Sequence, residues 1–429
     1  MQITREIENL LNNGAKKAGV DKTLSVSFSN MPKLCDFQCN DAFALGKACN
    51  TNPFDLASKI VENIEKSEDF TFEVAKPAFI NIKLTDKKLA EIVNTYLLDE
   101  MSGVEKHKKS QKVILDYGGA NVAKALHAGH LRSPITGEGL KRLYKLLGDE
   151  VIADVHLGDW GLQMGLTELE LYEEGILDFY FGKSTIKPQL TLEMLNEAYP
   201  KASARKDKDS SFKEMADEWT LKIQRKEQPY YDIYQEIRRV SIEKIKENYQ
   251  ALGATFDLWY GESDAAPYID KAIKIIKDKG LAKESEGALV VDVAVEGENI
   301  PIEKKDPQEV QRYKNPMPPA IIQKYNGAAL YATTDIATIL MRNETIKDVD
   351  RIEYIVDARQ KTHFVQVFRV CKMAGISPEH QQLIHIGYGT MNGKDGKPFK
   401  TRSGDTVKLS DIIDLLIDKA SEKLKSNNV

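Results

Sequence analysis

The apolar positions change period along the chain, and each change predicts an element. Ile7, Leu10 and Leu11 recur at the spacing of an amphipathic helix, residues 54–64 predict another, and 78–84 (Ala-Phe-Ile-Asn-Ile-Lys-Leu) alternate as a strand does. Residues 113–117 (Val-Ile-Leu-Asp-Tyr) form an apolar run that predicts a buried parallel strand. Leu131, Ile135, Leu143 and Leu147 then follow at helical spacing behind Pro134 in a first turn, before a second strand over 150–156. From about 165 to 253 charged helical stretches carry loops such as 202–211, and the helix marked by Ile242, Ile245, Tyr249 and Leu252 runs into Gly253, which suits a left-handed C-terminal cap. Strand and helix signals alternate again afterwards: a strand over 352–356, a helix marked by Phe364, Phe368 and Cys371, a strand over 383–386, and an amphipathic helix with Ile412, Ile413, Leu416 and Ala420.

This order predicts an α/β protein: a Rossmann-like parallel-sheet domain over 109–395, interrupted by a helical insertion at about 165–253 and preceded by a smaller α+β domain over 1–108. The lysine-rich run 105–112 reads as a solvated linker. At 429 residues the chain exceeds what one core supports. A net charge of −5 argues against a surface that coats polyanions in general, while leaving room for a locally basic groove. No run approaches the roughly 18 apolar residues of a membrane span. The charged N-terminus lacks a signal-peptide core, so a cytoplasmic protein without a membrane partner is expected, acting as a monomer. Cys35, Cys39, Cys49 and Cys371 are too scattered for a disulfide framework and lack the His or Cys partners of a metal site, so free buried thiols are expected.

Two separated segments carry the chemistry. His127-Ala128-Gly129-His130 opens a helix directly after a strand, where imidazoles and backbone N–H groups face an anion. Far downstream, Lys397-Pro398-Phe399-Lys400-Thr401-Arg402-Ser403-Gly404 supplies cations for a pyrophosphate leaving group. Gly129 gives an adenine ring room to approach the backbone. Tyr331 and Asp335 lie four residues apart and would share a helix face.

The runs Asp116-Tyr117-Gly118-Gly119-Ala120-Asn121-Val122-Ala123-Lys124-Ala125-Leu126-His127-Ala128-Gly129-His130, His156-Leu157-Gly158-Asp159-Trp160-Gly161, Leu330-Tyr331-Ala332-Thr333-Thr334-Asp335 and Lys400-Thr401-Arg402-Ser403-Gly404 resemble those of arginyl-tRNA synthetases, which are class I aminoacyl-tRNA synthetases. The resemblance implies activation of L-arginine by ATP, with Mg²⁺ on the phosphates, and transfer to the 3′ end of arginine tRNA. It also implies ATP contacts by His127, His130, Gly129 and Thr401, and joint contact of Lys124, Lys400 and Arg402 with pyrophosphate. Phe399 then stands where the usual second signature has its first lysine, and Arg402 where it has its second, with Lys124 taking over part of the role. Tyr331, Asp335 and Glu262 are implied at the guanidinium, and Asp116, Asn121 and Gln360 at the α-amino and carboxylate groups. In the N-terminal domain Phe79 and Asn81 resemble the residues that stack on and read a base of the tRNA D-loop. The family continues beyond its basic loop into a helical anticodon-binding bundle. Residues 396–429 hold the loop and the start of that region, and the bundle itself is expected to be absent.

Two other readings share parts of the pattern. A small-molecule nucleotidylyltransferase also uses HxGH with a basic loop, but not the N-terminal module, the long insertion or the Tyr331/Asp335 pair. A non-catalytic tRNA-binding paralogue is opposed by the intact His127, His130 and Lys400.

Overall fold

The computed structural model describes residues 2–48, 50–301, 313–314, 316–324, 330–389 and 408–426. The chain divides into two compact units, 1–105 and 106–429. In the first, α1 (Gln2–Lys17), α2 (Ala42–Ala48), α3 (Pro53–Glu62) and α4 (Asp86–Leu98) accompany an antiparallel sheet of β1 (Ser27–Phe28), β2 (Phe37–Cys39), β3 (Phe70–Ala75) and β4 (Phe79–Leu84), in the order β1-β2-β4-β3. Alternation along β4 buries Ile80 and Ile82 against Ile7, Leu11 and Ile60 and leaves Phe79 and Asn81 together on the opposite face. There Phe79 meets the edge of Phe43 at 5.2 Å between ring centroids, and Asn81 accepts from Gln38 Nε2 at 2.8 Å.

The second unit is built on a parallel sheet. It contains β5 (Lys112–Tyr117), α5 (Arg132–Leu146), β6 (Glu150–Asp154), α6 (Leu162–Glu173), α7 (Leu192–Lys206), α8 (Ser210–Gln224), α9 (Tyr230–Ala251), α10 (Glu262–Ala265) and α11 (Ile269–Asp278). The small strands β7 (Ala282–Ser285), β8 (Ala288–Val291), β9 (Ile300–Pro301), β10 (Tyr313–Lys314) and β11 (Ala320–Gln323) follow, then α12 (Tyr331–Thr345), β12 (Arg351–Asp357), α13 (Lys361–Ala374), β13 (Gln382–Tyr388) and α14 (Leu409–Ser426). The sheet order is β13-β12-β5-β6, all parallel, and helices α6 to α9 intervene before the chain returns beside β6 through parallel bridges Asp154↔Leu258 and Leu157↔Gly261. The parallel pairing places every strand's carboxyl end on one edge, where open α/β sheets take their ligands.

Three local expectations change. The helix after the first strand forms, but Ile135 and Leu143 on its apolar stripe are exposed. Its buried face is Ser133, Pro134, Gly137, Glu138 and Lys141. A Cβ at Gly137 would lie 2.2 Å from the Tyr117 ring, so this face gives closest approach to the sheet, while Glu138 accepts from Tyr117 Oη and from the Thr255 N–H. Hydrogen bonding, not hydropathy, chose the buried side. The loop expected over 202–211 is largely helical, because Ala202 is buried with Phe212 and Ala216, Arg205 lies over the Phe212 ring, and Asp209 caps α8 by accepting from the Phe212 N–H at 3.0 Å. The strand expected over 150–156 stops at Asp154, because the following residues bond to the chain returning at 258–262. The cap at Gly253 does adopt positive φ, at 68°, and Cys35, Cys39 and Cys371 are free and buried.

Glu168 on α6 is fully buried, with no hydrogen-bond partner for either carboxyl oxygen among the described residues. Burial holds its pKa well above the carboxylate range, so it folds protonated. Unfolding lets it ionise, and the cost to stability therefore grows as pH rises above the ordinary carboxylate pKa. Glu168→Leu should accordingly stabilise the fold by about 1–3 kcal/mol at pH 8, with the gain shrinking toward pH 4. Denaturant titrations at both pH values check this; a loss of stability at pH 8 would show that the carboxyl has a stabilising partner.

Candidate functional site

The segment between β5 and α5 has little regular structure and ends in a short 3₁₀ turn over Ala128–His130. Its two imidazoles organise each other. The His127 backbone N–H donates to His130 Nδ1 and the Gly129 N–H donates to His127 Nδ1, each at 3.1 Å, and the rings lie 4.0 Å apart. With both Nδ1 atoms accepting, the neutral tautomer of each ring carries its proton on Nε2 and presents a free donor there. Burial, together with His127, pushes His130 down to about 4, and burial followed by the Lys124 charge lowers His127. The pair is thus neutral near pH 7 and acts by hydrogen-bond donation. Lys124 is exposed beside it.

A buried ionic cluster joins α12 to the ends of β5 and β6. Arg342, fully inaccessible on α12, places Nη2 at 2.6 Å from both Asp116 Oδ2 at the end of β5 and Asp154 Oδ2 at the end of β6, and its Nη1 donates to Tyr354 Oη at 3.2 Å. Burial raises the Asp116 pKa. Asp154 is also buried, but Arg342, His156 and the Tyr260 N–H together hold it down. Asp116, expected at the substrate, therefore commits one oxygen to a protein cation.

On the same helix, Asp335 and Thr338 continue the face that ends in Arg342. Asp335 Oδ2 meets His363 Nε2 at 2.5 Å, and Thr338 Oγ1 lies 3.5 Å from His156 Nε2. Glu262 opens α10 from the opposite side. Its turn is fastened by Asp159, which accepts from the Ser263 N–H at 2.9 Å, Arg238 Nε at 2.7 Å and Tyr234 Oη at 3.1 Å. A Cβ at Gly261 would fall 2.5 Å from that carboxylate, so only glycine fits the approach. Burial raises Glu262 to about 6, with the nearby charges of Asp159 and Asp335 adding to the rise and His156 opposing it. Tyr331 lies within electrostatic reach of Glu262 and of Tyr199 on α7. Glu262 thus lies within electrostatic reach of both Asp335 and the largely exposed Tyr331; two acids and a phenol suit a planar cation.

Asn121 pairs with Gly158 through a parallel bridge beside the carboxyl end of β6, and Gln360 is exposed after β12. Lys400, Thr401 and Arg402 lie outside the described residues. Arg342, Asp154, His156 and Asp159 received no role from the sequence. The signal for Arg342 was its charge within the apolar run Ile339-Leu340-Met341. No group of His, Cys, Asp or Glu among the described residues is arranged to hold a metal ion.

The parallel sheet, the imidazole turn and the helical insertion define a nucleotide-binding catalytic domain of the class I synthetase type. The family described as tRNA synthetases class I (R), catalytic domain, matches residues 92–429, and the arginyl tRNA synthetase N terminal domain matches 1–84. The arginine–tRNA ligase of Agathobacter rectalis is 43% identical over 435 residues, spanning 99% of this chain and 70% of that protein. That of Alkaliphilus oremlandii is 40% identical over 434 residues, spanning 99% and 71%. Among solved structures, the arginyl-tRNA synthetase of Plasmodium falciparum superposes with a TM-score of 0.71 at 22% identity, covering 90% of this chain and 65% of the other. That of Thermus thermophilus gives 0.70 at 19% identity, covering 99% and 71%. The chain belongs to the arginyl-tRNA synthetase family.

Removing the Arg342 cation should be costly, because Asp116 and Asp154 would then face each other in the interior. Arg342→Met is expected to destabilise the second unit by about 3–5 kcal/mol at pH 7. In Arg342→Met the two buried carboxylates lose their counter-ion, so their pKa values rise, and the penalty of burying them charged is relieved as pH falls from those raised values toward the ordinary carboxylate pKa; the deficit should narrow between pH 7 and pH 4. Urea denaturation at pH 7 and pH 4 measures both, and an equal deficit at the two pH values would mean that packing, not charge, carries the effect.

Proposed function

We propose that this chain activates L-arginine with ATP and transfers the arginyl group to the 3′ end of its tRNA. The observation that supports the reading is that Glu262 lies within electrostatic reach of both Asp335 and Tyr331, in a chain that also holds two neutral imidazole donors. Arginine has a fork of donors and no acceptor on its side chain, and the two carboxylates supply acceptors of opposite charge. Asn121 and Gln360, with the remaining oxygen of Asp116, take the α-amino and carboxylate ends.

In the activation step a carboxylate oxygen of arginine bonds to the α-phosphorus of ATP. The bond from that phosphorus to the bridging oxygen breaks, and pyrophosphate departs with the electron pair. Charge builds on the α-phosphate and on the leaving group, so preorganised donors are what the site must supply. His127 and His130 offer their Nε2–H groups, Gly129 leaves room for the adenine, Thr401 is assigned to ATP, and Lys124, Lys400 and Arg402 are assigned jointly to the leaving group. Mg²⁺ bound with the phosphates would supply further positive charge there. In the N-terminal unit, the outward Phe79 and Asn81 offer a ring and an amide to a base of the tRNA D-loop; stacking of this kind is worth about 1–3 kcal/mol. Free thiols at Cys35, Cys39 and Cys371 suit the reducing cytoplasm.

Calorimetry with L-arginine tests the pocket. Asp335→Asn keeps the size and removes the charge, so arginine affinity should fall by at least about 100-fold, with ATP binding little altered. Unchanged arginine binding would remove Asp335 from the pocket. Arginine binding also requires ionised Glu262, whose pKa is raised to about 6 in the free protein. The complex favours the charged form, so binding releases a proton below pH 6, and affinity should be about tenfold weaker at pH 5 than at pH 7.5. In Glu262→Gln the slope should vanish; a slope that persists would assign the titration to another group.

A further inference from the structure

The segment 118–126, between β5 and the imidazole turn, contains no helix or strand beyond a single bridge residue, so its shape depends on what its backbone groups bond to. Three of those groups are taken by side chains of the helical insertion. Tyr249 Oη on α9 donates to the Gly118 carbonyl at 2.5 Å. Ser241 Oγ, also on α9 and fully buried, accepts from the Ala123 N–H at 3.0 Å and donates to the Ile237 carbonyl at 2.8 Å. Asn196 Oδ1 on α7 accepts from the Ala125 N–H at 2.7 Å. Ala123 is held at φ 62°, a left-handed conformation that an L-residue adopts only when its surroundings impose it.

The residue between the two clamped N–H groups is Lys124. It lines a cavity of about 630 Å³ shared with His127, Asn196, Tyr199 and Lys408. Its side chain is exposed, so nothing in the side chain's own packing fixes where its base sits. The two insertion side chains fix the peptide on either side instead.

We propose that Ser241 and Asn196 are positioning residues for arginine activation: by holding the N–H groups of Ala123 and Ala125 they set the direction in which Lys124 meets the departing pyrophosphate. The proposal rests on the activation reading above. It makes the helical insertion a structural part of the catalytic turn. The insertion thereby aims a cation whose charge already reaches both imidazoles.

The test is a double-mutant cycle on the full chain, read by ATP–pyrophosphate exchange with arginine and tRNA present. Asn196→Ala and Ser241→Ala should each lower kcat by roughly ten- to a hundredfold, as small misplacements of an oriented group do, with the KM for arginine within about twofold of the parent. In a Lys124→Ala background each should change kcat by less than about twofold, because the group they orient is gone. The same fold-loss in both backgrounds, or a loss shared equally by KM, would overturn the proposal, as would full activity of Lys124→Ala. Asn196 is only half-buried, so its truncation carries the test if Ser241→Ala fails to fold. Calorimetric arginine binding separates the two levels of inference. A parent chain that binds no arginine overturns the activation reading, whereas normal binding with undiminished exchange in Asn196→Ala overturns the positioning role alone.

Discussion

The guanidinium of Arg342 is the constraint on which the second unit's site depends. Two carboxylates at adjacent strand ends, Asp116 and Asp154, would repel each other at the point where a parallel sheet presents its functional edge. Arg342 reaches both from α12. The attraction is strong because the cluster is dry, and the same dryness makes every partner necessary: burying an ion is tolerable only while its counter-ion and hydrogen bonds are in place. In return the cluster sets α12 relative to β5 and β6. Asp335 and Tyr331, one and two turns closer to the helix start than Thr338, inherit that placement.

A second support fastens the opposite wall. Asp159 is also fully buried and gathers Arg238, Tyr234 and Ser263 around one carboxylate. Arg238 and Tyr234 belong to the insertion, and Ser263 follows Glu262. The insertion thus supports Glu262 from one side and the imidazole segment from the other. An extended group of helices between two strands can look like an appendage to a Rossmann-like domain. Here its side chains finish hydrogen bonds that the sheet's own loops leave open.

Much of this was readable in the residues, and the failures have a common cause. Strands β5, β12 and β13 announce themselves as apolar runs, and the imidazole turn as HxGH after a strand, because those signals are local. Arg342 was not readable, since its carboxylates are 226 and 188 residues away and a lone arginine in a helix ordinarily faces solvent. The buried side of α5 was misread for a related reason: Gly137 and Glu138 are buried for close approach and hydrogen bonding, which a hydrophobic period does not report. Ser241 and Asn196 look like ordinary helix-surface residues until the segment they clamp is placed beside them. Long-range polar pairing determines the details that an apolar period leaves open.

The two sides of the site use opposite electrostatic means for the proposed reaction. On the phosphate side, His127 and His130 are kept neutral by burial, by the Lys124 charge and, for His130, by His127, with Nδ1 occupied by backbone donors. A neutral imidazole whose tautomer is fixed donates from Nε2 without first gaining a proton. Its alignment is already present before charge develops on the phosphate, which is the condition under which such donors act in a transition state. On the guanidinium side the acids are crowded instead, and Glu262 is held near the edge of ionisation by burial and by its acidic neighbours. In the proposed pocket a bound cation would relieve the repulsion among these acids. On the proposed reading, a neutral isostere of arginine would fill the same space without relieving it, so charge would discriminate before any donor and acceptor are matched.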